Sequence, residues 1–177
     1  MAEGRGPAAL RLQDVAKAAG ISHPTVLHYY GSREGLICAL NMRALERLTA
    51  GAIPDVGTGT STDGVALTFA AYRDGLAQRM VWLAQAGEPP PGRAPLFEEV
   101  VEKFHRLRGR FARPGIEPDI ADTRAVIHLI TIAAFGDALI GPRLRHAGAK
   151  EQAARQSFER WFGDLVDMFL TAKAAGR

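Results

Sequence analysis

Leu12-Gln-Asp-Val-Ala-Lys-Ala-Ala-Gly-Ile-Ser-His-Pro-Thr-Val-Leu-His-Tyr-Tyr-Gly-Ser-Arg-Glu-Gly-Leu36 is the stretch from which the rest of the chain can be read. Leu12, Val15, Ala16 and Ala19 recur at i, i+3, i+4 and i+7, one face of a helix, and Gly20 stops it. Ile21 fills the turn and Ser22 caps a second helix. Pro24 falls in that helix's first turn, where a missing N–H costs little. Val26 and Tyr30, four apart, are expected to face the core. Gly31 closes the second helix, and Ser32 caps a third that turns Leu36, Ile37, Leu40, Ala44 and Leu48 inward. A helix, a tight turn and a second short helix is the arrangement that lays a recognition helix in the DNA major groove.

Outward from this stretch the apolar residues keep helical spacing and almost nowhere alternate as in a strand, so the chain reads as all-α. Gly51 to Gly64, rich in Gly, Thr and Ser and containing Pro54, reads as a connection between two units, 1–50 and 51–177. It is no phosphate loop, because the Gly-Lys-Ser/Thr ending is absent. Helices are expected over about 64–86, 96–111, 119–140 and 150–173. Glu88-Pro89-Pro90-Pro91-Gly92 and the Pro114–Pro118 segment break them. No internal repeat stands out.

The 177 residues carry a net charge of +3, which permits nucleic-acid binding without demanding it. In the first 50 residues six Lys and Arg face four acids, so the excess there is slight. The single cysteine, Cys38, excludes a disulfide framework and a cysteine-based metal site within one chain. Its apolar helical setting points to a buried, inert thiol. Met-Ala-Glu-Gly-Arg-Gly has no apolar core of a secretory signal. The apolar run Ala125 to Ile140 is interrupted by His128, Thr131 and Asp137 and is shorter than a membrane span. A soluble, cytoplasmic protein without membrane partners is expected. No Gly-x-Ser-x-Gly, His-Glu-x-x-His or Gly-x-Gly-x-x-Gly motif occurs, and Glu102 and His105 are not matched by a second Glu-x-x-His. Neither an enzyme nor a cofactor or metal is expected.

Two faces in the C-terminal half invite partners. Phe158, Trp161, Phe162, Leu165, Met168, Phe169 and Ala172 line one side of the last helix, and the 125–140 helix is apolar nearly all round. Either these are core helices of a monomer, or two copies pair them about a two-fold axis in a four-helix contact. For a small-molecule site the candidates are Phe69, Tyr72, Trp82, Phe104, His105, His128, Phe135 and Asp137. Pockets are mostly apolar with a few polar groups, although an aromatic at helical spacing is as readily a core residue. His128 and Asp137 lie about two and a half turns apart, on different faces.

Asp14-Val15-Ala16, Ala19-Gly20-Ile21-Ser22, Pro24-Thr25-Val26, Tyr29-Tyr30 and Ser32-Arg33-Glu34-Gly35-Leu36 together resemble the TetR family of bacterial transcriptional regulators. The resemblance implies an N-terminal helix-turn-helix DNA-binding head and a C-terminal helical effector-binding and dimerisation domain. It implies a homodimeric repressor on a palindromic operator of double-stranded DNA, released by a small-molecule effector. Ser22, His23, Pro24, Thr25 and His28 would then face the groove, with Tyr29 and Arg33 on phosphates, and Phe158, Trp161, Phe162, Leu165 and Phe169 at the dimer interface. Leu27 departs from the family, which usually has tyrosine there. The chain also enters the pattern abruptly: most of the family's first helix is missing, which points to a start upstream of Met1. Leu10, Leu12, Val15, Ile21, Val26 and Leu36 would thereby lose a covering partner. The rival reading is a helical small-molecule-binding or protein-interaction dimer that does not bind DNA.

Overall fold

The computed structural model describes residues 7–52, 61–88, 94–112, 115, 117–145 and 151–174. Among them the chain is all-α, with no strand. Residues 53–60, 89–93 and 146–150 lie outside the description, and with them most of the expected 51–64 connection and of the proline-rich break after Glu88.

The head is built from caps that the sequence states openly. After a short turn at Pro7–Ala9, α1 runs Leu12–Ala19 and ends on Gly20, whose φ of +67° is the left-handed closure glycine adopts without penalty. Ser22 caps α2 (His23–Tyr30) by accepting from the Thr25 N–H at 3.2 Å. Ser32 does the same for α3 (Arg33–Ala52) through the Gly35 N–H at 3.0 Å. Ala16, Val26, Leu36 and Ile37 close the small core, while Leu10, Leu12 and Val15 are half-buried. Ile21, Leu27, Tyr30 and Leu40 are exposed. For Tyr30 and Leu40 this corrects the sequence expectation. Tyr30 is the last residue of a short helix and keeps its phenol in water, and the inward place on α3 next to Leu40 belongs to the fully buried Asn41.

At Gly35 space rather than backbone freedom excludes a side chain. A Cβ there would fall on the carbonyl oxygen of Tyr30, where α2 turns into α3. Alanine should raise helix propensity by about 1 kcal/mol, yet pushing two helices apart costs about 1–3 kcal/mol. Gly35→Ala is therefore expected to lower the melting temperature and to increase amide exchange in α2. A melting point at or above the parent's would show that the turn yields freely.

The body starts with α4 (Ser61–Ala71), continues through a wide π-type turn at Tyr72–Leu76, and resumes as α5 (Ala77–Gln85). The sequence suggested one helix over 64–86. The break comes from Asp74 (ψ 30°) and Gly75 (φ +89°), which leave helical geometry together. Then follow α6 (Ala94–Phe111), α7 (Ile120–Leu144) and α8 (Glu151–Ala174). Asp119 caps α7 by accepting from the Ala121 N–H at 2.8 Å.

Helix α7 passes the expected end at residue 140 and continues through Pro142. Proline withholds the N–H that the Ala138 carbonyl would accept, and the Gln78 side chain comes to 3.5 Å from that oxygen as a weak substitute. At 25 residues α7 is long and apolar enough to cross a membrane by length and composition, longer than the interrupted run suggested. The body core gathers Val65, Phe69, Tyr72, Leu76, Ala77, Val126, Ile130, Ala134, Ala138, Phe162 and Val166, so α4, the wide turn, α7 and α8 converge on it.

Candidate DNA-binding head and effector body

On α2 the polar residues divide by what already holds them. The Ser22 and Thr25 hydroxyls are 2.7 Å apart and shared with the cap, so this pair is fixed in place at the helix start. Pro24 and His28 are exposed, and His23 is half-buried. Tyr29 is 75% exposed, with the His28 ring edge-on to it at 5.5 Å. Arg33 is drawn away from this row: its guanidinium lies 4.7 Å over the Trp82 ring of α5 and reaches Glu34 at 3.4 Å. The Glu34 carboxyl is held below the ordinary value by its own backbone N–H, with further help from Ser32 and Arg33.

Trp82 thus meets the head, apart from the other candidate pocket residues. Phe69 is fully buried between Phe158 (5.9 Å) and Phe162 (5.7 Å), which makes it a core ring. Tyr72 meets Phe135 edge-on at 6.1 Å. Phe104 and His105 lie half-buried on α6, and His105 Nδ1 is 3.1 Å from the Thr123 hydroxyl of α7. Arg108 Nη1 reaches the same hydroxyl at 2.5 Å. Burial lowers the Arg108 pKa, and Asp122 and Asp119 pull it back up. His128 is exposed, edge-on to Phe97 at 6.3 Å.

Burial pushes the Tyr72 phenol above its ordinary value of 10.0. The folded chain then holds this proton to higher pH than the unfolded chain, so the contribution is whole below pH 10 and lost as pH climbs beyond it. Tyr72→Phe should remove part of the stability loss between about pH 9 and about pH 11. Urea midpoints at the two pH values check it, and an unchanged difference would contradict it.

Asp137 stands in a cluster of charge. Its carboxylate, with a side chain only 4% exposed, pairs with Arg145 two turns on along α7 and with Arg73 of the wide turn at 3.3 Å. Arg73 also reaches Glu159 of α8 at 2.6 Å, and Arg155 lies 3.8 Å from the same oxygen. Gly141 makes the room: a Cβ there would fall on Asp137 Oδ1 and lie 2.8 Å from Arg145 Nη2. Arg73, Arg145 and Glu159 were missed in the sequence. Among the described residues no group of three or more His, Cys, Asp or Glu has the arrangement to hold a metal ion.

Of the candidate interface residues on α8, Trp161 (58% exposed) and Phe169 are exposed, and Phe158 and Leu165 are half-buried. Phe162 is 6% exposed and belongs to the chain's own core, because it sits round the helix on the side that meets α4. The exposed row continues in Met168 and, on α7, in Leu129, Ile132, Ile140 and Leu144. Their signal in the sequence was an α7 too apolar for a helix with one wet side.

Residues 1–40 match the family model described as bacterial regulatory proteins, tetR family. The match falls on the helix-turn-helix head, α1 and α2 with the start of α3. In fold the chain is similar to a TetR variant from Acinetobacter baumannii AYE solved in complex with minocycline. The TM-score is 0.56 at 15% identity, over 92% of this chain and 86% of that one. The repressor AlkX of Dietzia sp., a TetR-family protein implicated in n-alkane biodegradation, matches with a TM-score of 0.47 and 17% identity, over 94% and 89%. No curated protein matches the chain.

Proposed function

We propose that this chain is a TetR-family regulator, a cytoplasmic homodimeric repressor that leaves a palindromic operator when a small molecule enters its body. The observation that carries the reading is α2 itself: a short helix, capped at its entry by Ser22, with Tyr29 exposed at its far end. Ser22, His23, Pro24, Thr25 and His28 read base edges from the helix start, and Tyr29 meets a phosphate. Contacts of the first kind specify sequence, and those of the second only position the protein. Arg33, held over Trp82, reaches a phosphate only by leaving that ring.

Two copies associate through the exposed apolar row of α7 and α8, a reading supported by Ile132, Leu144 and Trp161 standing in water on the single chain. The effector enters between α6 and the core, where Tyr72, Phe104, His105, His128 and Phe135 offer an apolar wall with few polar groups. A mixed aromatic ligand with one hydrogen-bonding edge suits them. Phe69 and Asp137 support the site from behind.

Fluorescence anisotropy on DNA from upstream of its own gene, across a salt series, tests the reading. Binding that saturates, prefers that DNA to scrambled duplex and weakens with salt is expected. Thr25→Ala should reduce the preference and Tyr29→Phe should weaken binding to all sequences alike. Equal affinity for scrambled DNA would favour a helical dimer that does not recognise an operator.

A further inference from the structure

Beside the direct packing of α3 on α4, the wide turn at Tyr72–Leu76 joins a set of polar contacts within the body to one that reaches α3. On its α4 side Arg73 is pinned to Asp137 of α7 and Glu159 of α8, so the turn is anchored to the body. On its α5 side Arg79 points at the head. Its Nε donates to the Asn41 side-chain oxygen of α3 at 2.6 Å, and its Nη1 donates to the Asp74 carbonyl in the kink at 3.3 Å. Asn41 is fully buried, and among the described residues its Nδ2 has no hydrogen-bond partner, while Arg79 holds its Oδ1. Gly75 leaves space for this arm: a Cβ there would lie 2.8 Å from Arg79 Nη1. One helix turn on, Trp82 lies under Arg33, the first residue of α3 after the recognition helix.

We infer that Arg79 is a positioning residue for DNA binding, seated between Asn41 of α3 and the Asp74 carbonyl of the kink, and that it fixes the angle at which the body holds the head. The inference rests on the proposed reading of a dimer with two heads on one palindrome. Burial lowers the Arg79 pKa and the Asp74 carboxylate raises it, the ordinary state of a guanidinium clamped in protein. A kink that carries a positive-φ glycine and a π-type turn is a place where a helix changes direction with few bonds lost. The arginine across it decides which direction is kept.

A misaligned head still binds its own half-site, so half-site and full-site binding separate positioning from damage. The probe is a duplex selected from a random pool by the wild-type protein. It is remade as a single half-site and as palindromes with the half-sites moved closer or further apart. Arg79→Met keeps the alkyl stem and removes both hydrogen bonds. Its half-site affinity should stay within about twofold of wild type, while full-site affinity falls about tenfold or more as bivalent binding is lost. The preference for one spacing should flatten. Asn41→Leu breaks the same link and removes a buried amide with an unmade bond, so it keeps the test open should Arg79→Met fail to fold. An unchanged spacing profile in a folded variant would overturn the inference, as would an equal fall on half-site and full site. A wild-type protein that selects no DNA would instead remove the reading beneath it.

Discussion

Asp137→Ala is expected to lower the unfolding free energy by about 3–5 kcal/mol, the cost of removing one partner from a buried ion pair. In a chain of this size that is a fall of about 6–20 °C in melting temperature. The reason lies with Arg145 more than with Asp137. Arg73 retains Glu159 at 2.6 Å after the substitution, whereas the ion pair of Arg145 is with Asp137. Among the described residues Arg145 Nε and Nη2 are buried without hydrogen bonds, so its charge has little reserve there. If the uncompensated charge is what costs, adding Arg145→Met to Asp137→Ala should recover part of the loss, because an apolar side chain of similar length needs no counter-ion. The exposed pair Glu98–Arg124, at 2.7 Å, is the contrast: Glu98→Ala should leave the urea midpoint nearly where it was. A small effect of Asp137→Ala, or a double variant worse than the single, would mean that the cluster is solvated.

The sequence carried the head almost entirely, because its signals are local. Gly20, Ser22, Pro24, Gly31 and Ser32 each act on residues within one turn, and caps of this kind can be read without knowing what packs where. The limits showed wherever an outcome depended on distant elements. Gly75 is one glycine in an otherwise helical pattern, and nothing adjacent announces that it takes positive φ. Asp137 was visible as a carboxylate on an apolar helix, yet Arg73 is 64 positions away in the chain. Phe162 and Trp161 are neighbours in sequence and one is buried, the other exposed, a split fixed by where α4 lies. That Trp82 seats Arg33 was not legible either, since α5 turns toward the head only at the kink. Arg79 and Asn41 gave no signal: an arginine and an asparagine on helices are usually solvated.

Ile132→Glu is expected to leave the single chain folded and to abolish tight operator binding. Ile132 is 57% exposed, so the carboxylate stands in water in the isolated chain and costs it little. Across a two-fold axis each substituted position is buried twice, and two carboxylates then face an apolar contact that includes Leu144, itself 75% exposed, and Trp161. Sedimentation should show the chain moving from twice its mass to its 19.1 kDa monomer at micromolar concentration. Operator affinity should fall by about 10²–10⁴, the gain that linking two binding heads provides without any new contact, while affinity for a single half-site stays. Arg160→Gln, on the exposed side of α8 next to Trp161, serves as the control and should change neither mass nor binding. The two effects must travel together. A monomer that still binds the full operator tightly would mean that the heads do not act in pairs. A dimer that survives Ile132→Glu would move the interface off the α7 row, and the exposed Leu129, Ile132, Ile140 and Leu144 would then need a different cover.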